Sequence, residues 1–191
     1  MMDLLILGLV LFFIPHMISV VNHQWRDRTT KQVGELTWKA LYALISLAGF
    51  LLIIKGYGEA RLTSEFLYTT PQWMGHLVAL LMLPVFPLLL ATYLPGRIQS
   101  ITKHPMLVAT KLWALSHLLV NGRVAEILLF GSFLIWAVLV RISLKRRPQR
   151  VVPGAPKTAM NDVTALVVGI GLYVVFALHL HRMLIGVSPF G

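Results

Sequence analysis

The sequence predicts an all-α protein, a polytopic bundle of about six membrane-crossing helices. Three observations lead there. Hydrophobic residues fill 57% of the 191 positions and charged residues only 13%, where soluble domains average about 45–50% and about 25%. Mean hydropathy is +0.77. The apolar residues gather in stretches close to the ~20 residues that a helix needs to cross hydrocarbon, and Pro, Gly and Asn mark the breaks between them.

The first span covers residues 4–21. It has no positive leading region and no small-residue cleavage site behind it, so it reads as an anchor and not a cleaved signal. Residues 36–54 form the second span. Residues 74–93 form the third, interrupted by Pro84 and Pro87. Residues 105–120 are the fourth and least hydrophobic, 124–140 the fifth and 163–187 the sixth. Pro71, the pair Pro95-Gly96, Asn121-Gly122 and the run "RRPQRVVPGAPKTAMND" read as loops. No internal repeat is visible, and residues 1–191 read as one integral membrane domain.

Lys and Arg near span ends set orientation. Arg26, Arg28, Lys31, Arg97, Lys103, Arg141, Lys145, Arg146, Arg147, Arg150 and Lys157 lie in the first, third and fifth loops. Only Lys55, Arg61, Arg123 and Arg182 lie on the opposite side. That bias predicts both termini outside. The net charge of +10 is then a topology signal facing an anionic leaflet. The expected partner is the lipid bilayer, with no nucleic acid.

The absence of cysteine excludes disulfides, thiolate metal sites and cysteine nucleophiles. There is no H-E-x-x-H, no glycine-rich phosphate loop and no G-x-S-x-G. All seven carboxylates fall at span ends or in loops, which argues against a hydrolytic zinc site and against a mid-span proton relay.

What remains is histidine: His16, His23, His76, His104, His117, His179 and His181. Polar groups at membrane depth cost a few kcal/mol and usually face a bundle interior, where they mark pathways or ligands. His16 and His117 lie deeper in their spans than the others. On the fourth span Met106, Thr110, Trp113, His117 and Asn121 share one helical face. A hydroxyl and an amide are thus expected to orient the imidazole and leave its other nitrogen for a metal. A histidine that only bridges two helices is the plainer alternative. Trp38, Trp113, Trp136, Phe12, Phe13 and Tyr42 offer aromatic walls, which suits a flat apolar macrocycle. Haem b held by one or two histidines is the natural candidate, with Arg26, Arg28, Lys31 or Arg61 to pair its propionates.

The stretches "LFFIPHM", "GELTWKALYALISLAGFLLIIKGYGEAR", "PQWMGH", "KHPMLVATKLWALSHLLVNG", "RISLKRRP" and "HLHRMLIGV" together span nearly the whole chain. This pattern resembles the NnrU family of bacterial membrane proteins, whose plant relative is zeta-carotene isomerase and whose more distant relatives are isoprenylcysteine methyltransferases. The resemblance implies an integral protein of the bacterial inner (plasma) membrane. It also implies a role in nitric oxide and denitrification-related metabolism, with other membrane redox proteins as partners. The isomerase branch binds haem b through two histidines that fall on His16 and His117, the implied metal ligands here. Where that branch has a cysteine, this chain has Ala114. Where the methyltransferases carry an acidic pair, it has "LKRRP". On the six-span drawing His16 and His117 differ in depth by roughly 10 Å, so His76, followed by His179, is kept as a geometric alternate to partner His117. Two other functions stay open: a membrane enzyme acting on a lipophilic substrate, isomerase-like or methyltransferase-like, and a non-catalytic assembly or regulatory subunit.

Overall fold

The computed structural model describes residues 2–148, 150 and 152–189. Gln149 and Val151 of the basic loop lie outside the described residues. Ten α-helices follow one another: α1 (Met2–Val21), α2 (His23–Val33), α3 (Glu35–Thr63), α4 (Met74–Met82), α5 (Val85–Ala91), α6 (Arg97–Thr102), α7 (Pro105–Val120), α8 (Val124–Leu144), α9 (Met160–Val175) and α10 (His181–Ile185). A π-helical turn, Phe176–Leu180, joins the last two. The all-α expectation holds. The chain divides into two compact units, Met1–Leu67 with Arg123–Gln149 and Tyr68–Gly122 with Arg150–Gly191.

In the first unit α1 and α3 run antiparallel with their backbones almost touching. Glycine makes this approach possible. A Cβ on Gly8 would lie 2.6 Å from the Ile53 nitrogen, one on Gly49 would lie 2.5 Å from the Phe12 nitrogen, and one on Gly56 would strike the Leu5 backbone. Lipid offers no hydrophobic drive for helices to associate, so small residues that permit close packing carry the contact. α8 packs on the same pair and runs parallel to α1, with Phe133 beside Phe12 and Phe13 and Tyr57 of α3 beside Phe130. The buried centre is Leu5, Leu9, Ile53, Ala60, Ala125, Leu129, Phe130 and Ala137.

The sequence reading placed a basic loop between the first two spans and ended the second at Ile54. Both boundaries are corrected. α2 fills the loop, started by the Asn22 side chain accepting from the Trp25 amide and ended at Gly34, whose φ of +87° favours a residue without a Cβ. α3 continues to Thr63, so Lys55, Glu59 and Arg61 are helical and the loop begins at Ser64.

The second unit is built on α5, packed between α7 and α9, with Val85, Leu88 and Ala109 at its centre and Met82, Leu112 and Trp113 around them. Gly169 of α9 leaves room for Pro87. Lys103, at φ 61°, is the described non-glycine residue with positive φ. It breaks α6 from α7, which then opens with Pro105 in its first turn, where a missing N–H costs nothing.

Five helical stretches are long and apolar enough to cross a membrane: Met2–Val21, Glu35–Thr63, Met74–Ala91, Val124–Leu144 and Met160–Ile185. Their outer faces are greasy. Leu44 is 64% and Leu51 57% exposed, a surface that suits lipid and not water. The expected fourth span, Pro105–Val120, has 16 residues, roughly 24 Å at helical rise. It is shorter than the five long stretches. The Val124 amide donates to the Glu65 carbonyl at 3.0 Å, and Phe66 bridges Arg123, so the chain leaves and re-enters the first unit at one place.

Candidate functional site

His16 is held by its own helix. Its Nδ1 donates to the Phe12 carbonyl at 2.6 Å. A carbonyl only accepts, so the proton sits on Nδ1 and Nε2 carries the lone pair. The ring lies 4.2 Å from the Phe12 ring and nearly parallel to it, 5.0 Å from Tyr42 and 5.8 Å edge-on from Trp136. Phe13 and Phe133 complete the aromatic group. Pro15 precedes the imidazole inside α1. Proline has no N–H to give the carbonyl four residues back, a loosening that membrane helices tolerate when packed against neighbours.

Trp136 supplies an unusual feature. Its Nε1 is buried and has no hydrogen-bond partner among the described residues. Buried donors are nearly always paired, and this indole N–H lies beside the oriented imidazole.

In the second unit His117 repeats the local design. Its Nδ1 donates to the Trp113 carbonyl at 2.8 Å, and the Trp113 ring is 5.4 Å away. The expectation that Thr110 and Asn121 side chains orient this ring is corrected: the Thr110 hydroxyl donates to Met106, and a main-chain carbonyl holds the imidazole. The single proton of the Tyr68 hydroxyl is shared between the Leu118 carbonyl and that of Asn121, the latter at 3.0 Å, closing the end of α7.

The other predicted residues are placed as follows. His76 is exposed near the start of α4, which packs on α7, and His179 is exposed on the π-helical turn. His181, two residues on, is within electrostatic reach of His117, and its Nδ1 donates to the Val187 carbonyl at 2.7 Å. The earlier reading gave His181 no role. The π-helical turn that sets it is itself a feature frequent at functional sites, and no sequence signal announces it. Arg26 meets Asp27 at 3.0 Å and lies 5.8 Å over Trp38.

Among the described residues no three His, Asp or Glu side chains converge as a metal site. A hydrated divalent ion is poorly served by that. Haem asks for less: one or two imidazoles with the tautomer fixed, apolar aromatic walls and few charges. His16 and His117 each meet the ligand requirement, and the aromatic group around His16 meets the second, so the residues fit the group.

A family model described as NnrU protein matches residues 4–189, nearly the whole chain. No curated protein matches, and no solved structure does.

Proposed function

The chain belongs to the NnrU family, and from that premise we propose that this membrane protein binds haem b through intramembrane histidine, with His16 and His117 each a candidate ligand, and serves nitric oxide and nitrogen-oxide metabolism in the bacterial inner membrane. The observation that carries the proposal is the shared arrangement of the two imidazoles, each with Nδ1 tied to the carbonyl four residues back and Nε2 left as the basic nitrogen.

Bound haem supplies an iron that binds nitric oxide and exchanges single electrons. The chain's own residues do the rest. The Phe12 and Trp113 carbonyls fix ring orientation and raise the basicity of the ligating nitrogen. Phe12, Phe13, Tyr42 and Trp136 exclude water on the His16 side.

The test is purification in mild detergent with a visible spectrum and a haem and metal assay. A Soret band that weakens in both His16→Ala and His117→Ala supports the reading. A colourless, metal-free preparation sinks it, as does a band that neither substitution alters.

A further inference from the structure

We propose that an anionic phospholipid of the surrounding bilayer sits in the seam between α1 and α8, its acyl chain in an apolar slot and its headgroup phosphate in a cationic mouth. It shares Phe13 and Trp136 with the aromatic group near His16 but uses different residues for its polar end.

The seam holds two open grooves in the first unit. One, of about 220 Å³, is lined by Phe13, Met17, Ser132, Ile135, Trp136 and Leu139, apolar or aromatic but for the one serine. The other, of about 250 Å³, is lined by Val20, His23, Leu139, Ser143, Arg146 and Arg147. Leu139 lines both, so the two grooves are neighbours along the seam. The register explains why. Phe13, Met17 and Val20 recur at helical spacing along α1, as Ile135, Leu139 and Ser143 do along α8. Because the helices are parallel, both stripes end at the same level.

The charge pattern selects the occupant. Two guanidiniums and an imidazole line the mouth with no carboxylate among them. Arg147 is fixed there, its Nη1 donating to the Ser19 carbonyl at 3.1 Å. Arginine donors match phosphate oxygens well, and a basic residue beside an anionic leaflet contributes about 1 kcal/mol. A free anion would use the mouth alone. The mainly apolar groove beside it fits a molecule with a hydrocarbon tail.

The test uses the full chain reconstituted in phosphatidylcholine vesicles. Phosphatidylglycerol or phosphatidylcholine with brominated acyl chains is titrated in, and tryptophan quenching is read. The chain has five tryptophans, so Trp136→Phe assigns the part of the signal that arises in the slot. We expect quenching of Trp136 to favour phosphatidylglycerol. The preference should fall about five-fold in Arg146→Gln, the equivalent of about 1 kcal/mol. Arg146 is exposed, so that substitution carries the test even where Arg147→Gln does not fold. Inorganic phosphate should displace nothing. Equal quenching by the two lipids, a preference untouched by Arg146→Gln, or displacement by inorganic phosphate each overturns the proposal, the last by showing a free-anion site.

Discussion

A Cβ placed on Gly49 of α3 would lie 2.5 Å from the backbone nitrogen of Phe12 on α1, and Phe12 is the residue whose carbonyl and ring hold His16. Packing and site are thus one object here. Backbone atoms cannot swing aside as a flexible side chain can, so Gly49→Ala should force the helices apart. Overpacking of this kind typically costs about 1–3 kcal/mol. Gly58→Ala is the control: nothing lies within 4 Å of its would-be Cβ, and alanine is the better helix former by about 1 kcal/mol. Thermal unfolding in detergent should show Gly49→Ala lowered and Gly58→Ala unchanged or raised. Equal behaviour of the two would remove the close-contact argument.

The unpartnered indole of Trp136 makes a separate prediction. Trp136→Phe keeps an aromatic ring and deletes the buried N–H, a donor whose unpaired burial costs about 1–3 kcal/mol. In ligand-stripped protein the substitution should raise the melting temperature. In protein purified with its native ligand the same substitution should lower ligand retention. A melting temperature lowered in both preparations would mean that the N–H is paired by the chain itself and marks no ligand.

Tyr68 and Gly122 pin the C-terminal end of α7. The tyrosine hydroxyl serves two carbonyls of the last turn, and a Cβ on Gly122 would collide with the Tyr68 carbonyl. Tyr68→Phe should cost about 0.5–1.5 kcal/mol per hydrogen bond lost. Gly122→Ala should cost more, because the collision is with backbone. Chemical denaturation of the two variants checks the order, and Tyr68→Phe as the more damaging change would contradict it.

The long apolar helices were legible because lipid demands long apolar runs, five of which are long enough to cross, and the bounds of the shorter helix α7 were marked by Pro105 at its start and Asn121-Gly122 at its end. The amphipathic α2 was read as loop although Asn22 and Gly34 flank it as start and stop residues, since its charges outweighed those signals. That His16 and His117 lie within apolar helices could be read from the sequence. What orients them could not: a carbonyl four residues back exists for every helical residue, and only rotamer choice decides whether a ring uses it. The roles of Gly8, Gly49 and Gly56 were equally hidden, because a glycine shows its purpose only once the facing backbone is known.

Asp162 shows how a loop carboxylate acts at long sequence range. Its oxygens accept from the Arg97 amide at 2.7 Å and the Ile98 amide at 3.1 Å, capping α6 from the start of α9, and Gly96 has no side chain where the carboxylate sits. Asn161 beside it donates to the Pro95 and Pro156 carbonyls at 2.9 and 3.0 Å. Side chains that satisfy otherwise orphaned amides at a helix start are worth about 0.5–2 kcal/mol, and an ionised acceptor strengthens such bonds. Asp162→Ala should therefore lose about 1–3 kcal/mol through the unpaired amides it leaves. Asp162→Asn, which keeps one acceptor oxygen, should lose less. Hydrogen exchange at Arg97 and Ile98 provides the local readout. Faster exchange confined to α6 in Asp162→Ala matches the cap, and exchange identical to the parent protein refutes it.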